Sequence, residues 1–143
     1  MNPIAKKLMA TANKAASGLY RTTNGKVGGS VRGQKVLILT VPGRKSGQPR
    51  SVPLAYFEHG GNYLVVGSAG GMKDEPDWMK NLAAVSTASV QIGDSTTAVA
   101  VRIAAEPERA LLWHDVVLAR APFFADYQRK TDRTLRIGVL TPQ

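Results

Sequence analysis

Cysteine is absent from this 143-residue chain, which excludes disulfides, thiolate nucleophiles and the usual structural zinc sites together. Histidine occurs twice, at His59 and His114. One falls in a hairpin turn and the other on a helix, so both read as surface residues and no metal site is expected. Aromatic residues make up 6% of the chain and none lies in its most basic turn. Nucleic-acid grooves pair cations with exposed rings, so no nucleic-acid partner is expected. No apolar run approaches the roughly 18 residues of a membrane span. The N-terminus also lacks the apolar block and cleavage site of a signal peptide, and a cytoplasmic location is the expectation.

The most telling shortage is of one sign of charge. No Asp or Glu occurs before Glu58, whereas Lys6, Lys7, Lys14, Arg21, Lys26, Arg32, Lys35, Arg44, Lys45 and Arg50 all precede it. The remainder carries nine basic and ten acidic residues, so the whole +9 excess is N-terminal. Such a field selects anionic partners. It is sharpest at Gly43-Arg44-Lys45-Ser46-Gly47-Gln48-Pro49-Arg50, a turn between the apolar runs 36 to 41 and 52 to 57. Glycines at both ends let the backbone approach a ligand, arginine forks suit carboxylate or phosphate oxygens, and lysine adds a compact charge. The turn is not a P-loop, because Arg44 precedes Lys45 and a strand follows. No Gly-x-Ser-x-Gly elbow marks a nucleophilic serine. Anion binders and apolar surface with few acid–base groups suit an enzyme whose chemistry is carried by a cofactor.

At 15.3 kDa the chain is expected to form one globular unit. Residues 3 to 20 read as an amphipathic helix with Ile4, Leu8, Ala12, Ala15, Ala16 and Leu19 along one side. It either packs on the domain or lies on an anionic membrane surface. Glycines break the pattern over 21 to 34, which reads as a loop. Strands are expected at 35 to 42, 50 to 58 and 63 to 68, the last two joined by the turn His59-Gly60-Gly61-Asn62. Asp74 is expected to cap a short helix with Pro76 in its first turn and Trp78 and Leu82 on one face. Strands 87 to 92 and 98 to 103 flank Gly93-Asp94, helices are expected from Glu106-Pro107 to about 119 and over 122 to 130, and a last strand over 136 to 140. This order predicts an α+β fold, a six-stranded antiparallel barrel with flanking helices.

The basic turn, Gly67-Ser68-x-Gly70-Gly71, Pro76-x-Trp78-x-x-Asn81-Leu82 and Asp126-Tyr127-Gln128-x-x-Thr131-Asp132-Arg133 closely resemble, in order and spacing, the deazaflavin-dependent nitroreductase family. Gly28-Gly29-Ser30-Val31-Arg32-Gly33 adds to the match, which spans about residues 25 to 142. The resemblance implies a split β-barrel of the FMN-binding type over 25–143, preceded by a basic helix over 1–24. It implies coenzyme F420, with FMN as the runner-up cofactor, and hydride transfer from the reduced deazaflavin to a planar apolar acceptor such as a quinone, an activated enone or a nitroaromatic. F420 carries a phosphate and an oligoglutamate tail, which Arg44, Lys45, Ser46 and Arg50 would contact. Ser68, Ala69, Gly70 and Gly71 would line the cofactor, joined by Asp77, Trp78 and Asn81 from the short helix. Trp78 is equally a core residue by its helical spacing from Leu82, and Asn81 equally a structural contact.

Two departures from the family stand out. Many members carry lysine where this chain has Ala69, which removes one contact to an anionic cofactor. Several members carry tyrosines in the acceptor segment, where this chain has Phe123 and Phe124 and keeps only Tyr127. The acceptor pocket is therefore expected to be apolar, with Tyr127 as hydrogen-bond or proton donor, or else simply a core aromatic. Two other classes remain beside the reductase. One is a barrel that binds FMN, F420 or haem without turnover, and the other is a basic protein on a membrane surface or on nucleic acid, with the N-terminal helix as a peripheral contact at the inner face of the plasma membrane.

Overall fold

A strand that is apolar at every position must be covered on both faces, and the run 36–39 is such a strand. In the computed structural model, which describes residues 3–26 and 28–143, its side chains divide between two cores. Leu37, Leu39 and Val41 point into a core shared with Val65, Met79, Leu82, Val90, Val99 and Leu140, whereas Val36 and Ile38 meet Tyr20 on the other side. Met1 and Asn2 of the helical segment expected over 1–24, and Val27 of the loop expected over 21–34, lie outside the described residues.

The elements run in the order α1 (Pro3–Thr22), β1 (Ser30–Val31), β2 (Gln34–Pro42), β3 (Pro49–Ala55), β4 (Phe57–His59), β5 (Asn62–Val66), α2 (Asp77–Ala83), β6 (Thr87–Ile92) and β7 (Ser95–Ile103). Three stretches, Glu108–Leu112, a π-helical Trp113–Val117 and Leu118–Arg120, follow one another as α3, and α4 (Phe124–Arg129) and β8 (Ile137–Pro142) complete the chain. All pairings are antiparallel, in the order β1-β2-β6-β7-β8-β5-β4 with β3 also on β2. The result is a curled antiparallel sheet with helices packed on it. β3 pairs with β2 and β4 pairs with β5, so the chain crosses at Tyr56 from one end of the path to the other. Being bonded on one side only, β3 tolerates Pro49 and Pro53, which have no N–H for a second neighbour.

The six strand runs read from sequence are all present, but among the described residues the sheet has eight strands. The run 50 to 58 breaks at Tyr56, and the loop expected over 21 to 34 contains β1, too short to show a period. Asp74 does not cap α2. Glu75 precedes a proline, which disfavours its helical conformation, and Pro76 is itself extended (φ −64°, ψ 146°), so the helix starts at Asp77. Met79 and Leu82 on α2 are fully buried, and a Cβ on Gly138 would lie 2.8 Å from Leu82, so glycine there lets the helix settle onto β8. A second core, built on Phe57, Leu64, Val66, Ile137 and Val139, is covered by Leu112, Val116 and Val117 of α3 and by Phe124 of α4.

Helix α1 packs with a face other than its apolar one. Ser17 and Tyr20 are buried, while Ile4, Leu8 and Leu19 are 73%, 68% and 51% exposed. The anchor is the Tyr20 hydroxyl, which accepts a hydrogen bond from the Gly93 N–H at 2.8 Å and faces the Gln91 carbonyl at 3.4 Å. Tyr20→Phe should destabilise the protein by about 1 kcal/mol, because a partly buried N–H loses its acceptor while the ring packing stays. A shift of the urea midpoint with unchanged slope checks this.

Candidate functional site

The basic turn joins β2 to β3 and is tied by its own main chain. Gly43 N–H donates to the Gln48 carbonyl and Gly47 N–H to the Gly43 carbonyl, both at 2.8 Å. The Ser46 hydroxyl accepts from Gln48 N–H at 3.2 Å and from Arg50 Nη2 at 3.5 Å, which leaves its own proton free to donate. A Cβ on Gly43 would lie 2.9 Å from that hydroxyl, so a side chain there would displace it.

Helix α2 reaches the turn from below. The buried Asn81 Oδ1 accepts from the Arg44 N–H at 3.1 Å and from Arg44 Nη1 at 2.8 Å. Asp77 Oδ1 stands 3.6 Å from Arg44 Nη2, and its other oxygen 3.7 Å from Lys6 on α1. Both ion pairs are solvent-exposed and contribute little by themselves. Arg44 is thus held by the protein, whereas Lys45 and Arg50 are exposed and pair with no carboxylate among the described residues. Trp78 is half-buried and packs against the core of Met79 and Leu82.

Ser68, Ala69, Gly70 and Gly71 lie at the end of β5, where 69 to 71 form a single 3-10 turn. Ala69, Gly70 and Gly71 all have left-handed φ, of 46°, 63° and 84°. For alanine that conformation costs about 1–2 kcal/mol, so something outside the turn must hold it. Arg133 does. Its Nη1, Nη2 and Nε donate to the carbonyls of Gly67 (2.8 Å), Ser68 (2.8 Å) and Met72 (3.0 Å). Burial pulls this guanidinium below the usual arginine value, with Glu75 and then Asp74 opposing the shift. Arg136 adds a two-pronged pair to the largely buried Glu75, at 2.8 and 2.5 Å. Gln128 holds the segment carrying Arg133, donating to the Arg133 carbonyl at 2.8 Å and accepting from Leu135 N–H at 3.3 Å.

The turn at 69–71 touches the segment expected to line an acceptor. A Cβ on Gly71 would lie 2.5 Å from the Tyr127 carbonyl oxygen, so only glycine permits this approach. Phe124 is core, set edge-on to Phe57 at 5.7 Å and to Trp113 at 6.4 Å. Phe123 and Tyr127 are half-buried around it. The Tyr127 hydroxyl accepts from Arg32 Nη1 at 2.9 Å.

The structure brings the expected residues into two groups. Arg44, Lys45, Ser46, Arg50, Asp77 and Asn81 gather around the basic turn, and the 69–71 turn meets the main chain of α4 at Tyr127, with Phe123 and Phe124 beside that tyrosine. Two concavities, of about 410 and about 250 Å³, lie instead around Gly60, Gly61 and Tyr63 and around Lys35 and Tyr56, and share Glu58 and Arg120. Shallow and polar, they contain none of the expected site residues. Sequence reasoning missed Arg32, Gln128 and Arg133 as site-building residues. All three lie inside quoted motifs, but the partners of Arg32 and Arg133 are distant in sequence and those of Gln128 lie across a chain reversal with no periodic signature.

A profile of the family described as F420H(2)-dependent quinone reductase matches residues 13–142. A Mycobacterium tuberculosis protein named F420H(2)-dependent quinone reductase Rv1261c is 34% identical over 126 residues, covering 86% of this chain and 85% of that one. A solved structure described as an F420-H2 dependent reductase, FDR-A, is 36% identical, covers 73% of this chain and 92% of its own, and superposes with a TM-score of 0.65. Another, described as a domain-swapped dimer, is 31% identical over 90% of this chain and 96% of that one, with a TM-score of 0.68.

Arg133→Lys keeps the charge but loses the planar fork, leaving two of the three carbonyls without a donor. We expect a loss of about 2 kcal/mol in chemical denaturation and faster amide exchange confined to 67–72. An unchanged exchange pattern there would show that the clamp is not what holds the turn.

Proposed function

The chain belongs to the F420H(2)-dependent quinone reductase family and is an oxidoreductase, and on that premise we propose that it reduces a planar, apolar quinone with hydride from F420H2. Activated enones are acceptors of the same kind, and nitroaromatics are secondary, since Phe123 and Phe124 in place of the family's tyrosines remove hydroxyls that would meet the negative charge developing on a nitro group. The single observation that carries the reading is the contact of the 69–71 turn with the Tyr127 backbone, which puts the proposed cofactor wall against the proposed acceptor wall.

The donor set fits such a cofactor. Lys45 and Arg50 offer positive charge that no carboxylate among the described residues neutralises, Ser46 offers a hydroxyl proton, and open space surrounds the Cβ positions of Gly47 and Gly70. In this reading Lys45, Ser46 and Arg50 hold the phosphate and glutamate tail. Arg44, oriented by Asn81 and Asp77, adds its remaining donors. Ser68, Ala69, Gly70, Gly71 and Trp78 line the ring system. When bound, the reduced deazaflavin supplies the hydride. The residues of this chain orient the two partners, exclude water with Phe123, which the buried Phe124 backs, and present the Tyr127 O–H to the acceptor oxygen, which takes up one proton to complete the reduction. The finer fold reading is an FMN-type split barrel over 25–143 preceded by the basic helix 1–24, supported by the crossing of the chain from β2 to β5 at Tyr56.

Purified protein mixed with reduced F420 and menadione should reoxidise the cofactor. The Lys45→Ala, Arg50→Ala double variant should weaken F420 binding at least about tenfold at low ionic strength and by less in 0.5 M salt, because the wild-type contacts are themselves screened. Failure of the wild-type protein both to bind and to turn over would refute the proposal.

Peripheral membrane contact is a second reading, favoured by one observation: Ile4, Leu8 and Leu19 are exposed along a helix that also carries exposed Lys6, Lys7 and Lys14. Deleting residues 1–20 should abolish sedimentation with anionic liposomes. Retained binding by the truncated protein would dismiss α1 as the anchor.

A further inference from the structure

We propose that Arg32 is a specificity-determining residue of the acceptor pocket, positioning the Tyr127 hydroxyl and selecting acceptors whose oxygen is anionic. This assignment rests on the reading of Phe123 and Tyr127 as acceptor wall. Arg32 and Gly33 are the two central residues of the β1–β2 hairpin, between the paired Val31 and Gln34, and both have positive φ, 48° and 79°. A two-residue hairpin of this type favours asparagine, aspartate or glycine at its first position, and arginine is strained there because its Cβ crowds the following carbonyl at positive φ. The cost is balanced elsewhere: the guanidinium lies over the Phe123 ring with Cζ 3.9 Å from its centroid, and Nη1 donates to the Tyr127 hydroxyl. Stacking on a ring face and donating to a phenol are both favourable for this planar cation.

Two chemical consequences follow. Because Arg32 occupies a lone pair of the Tyr127 oxygen as donor, the phenolic hydrogen turns away from the guanidinium and remains to be donated. The guanidinium also places positive charge beside walls that are otherwise apolar. An acceptor that takes up a hydride carries one extra negative charge until a proton arrives, and Arg32 stabilises that charge where the family's additional tyrosine hydroxyls are missing. A quinone whose ring already bears an ionised hydroxyl gains the same stabilisation on binding.

The test uses the full chain saturated with oxidised F420, so that quinones bind without turnover, and follows tryptophan fluorescence quenching. Menadione is the neutral probe and 2-hydroxy-1,4-naphthoquinone, an anion at neutral pH, the charged one. Arg32→Asn should keep or raise thermal stability, since asparagine suits the turn, and should leave the F420 dissociation constant within about twofold. It should weaken the anionic quinone by about tenfold relative to menadione, the scale of one partly desolvated charge contact. Arg32→Lys should retain much of that preference. In turnover with menadione, Arg32→Asn and Tyr127→Phe should each lower kcat/KM, and the double variant should be little worse than either, because both remove one coupled pair. An unchanged preference in Arg32→Asn, or losses that simply multiply, would overturn the Arg32 assignment while leaving the reductase reading intact. A wild-type protein that binds F420 but neither quinone, or that binds none of the three, overturns both.

Discussion

One guanidinium gathers three main-chain carbonyls of a single loop, and the geometry of the site depends on it. The carbonyls of Gly67, Ser68 and Met72 converge on Arg133 because the chain between them is bent through three consecutive left-handed residues. Left to itself this bend would relax, since alanine disfavours it and a run of glycines is entropically costly to fix. Arg133 is partly desolvated to make these bonds, and that is tolerable only because its donors are matched by acceptors of fixed spacing. Arg136 and Glu75 lock the downstream end of the same loop, so its exit into α2 is fixed as well. The position of α2 in turn fixes Asn81, and Asn81 fixes Arg44.

The acid-free N-terminal third is used unevenly. Arg21 is absorbed by hydroxyls, donating to Ser51 at 2.7 Å and Thr40 at 3.2 Å, and Lys6 and Arg44 share Asp77. Arg32 is absorbed by a ring and a phenol. Lys45 and Arg50, which pair with no carboxylate among the described residues, sit on a turn whose ends are tied by main-chain bonds. A turn that keeps its form without using its cations leaves them available to an incoming anion.

Much of this was legible in the sequence, for physical reasons that can be separated. Alternation and short glycine turns are local, so the hairpins at Gly60-Gly61 and Gly93-Asp94 and the six strand runs could be read directly. The outward face of α1 could not. Its apolar residues form a stripe by spacing, yet one buried tyrosine hydroxyl bonded 73 residues away decides which side packs. The start of α2 is not legible from Asp74, because the conformational restriction that Pro76 imposes on Glu75 prevails over the capping chemistry of Asp74. Arg133, Gln128 and Arg32 act on carbonyls, amides and rings 61 to 95 residues distant or, for Gln128, on a chain reversal with no periodic signature. Their motifs were visible and their roles were not.

Hydride transfer makes the relative placement of donor and acceptor the demanding variable, since reacting atoms must approach to about 3–3.5 Å and an error of about 1 Å is costly. In this fold that placement is governed by backbone. Gly71 packs against the Tyr127 main chain, and the segment that follows α4 returns Arg133 to clasp the same loop. The side chains proposed as acceptor wall are therefore decoupled from the backbone contact beside them. Phe123 can replace a hydroxylated ring, and Arg32 can reach in from a separate hairpin, without moving the turn at 69–71. On the proposed reading, such a division lets acceptor preference change by substitution at the start of α4 and on the β1–β2 turn, while the loop at 69–71 is held by bonds in which neither Phe123 nor Arg32 takes part.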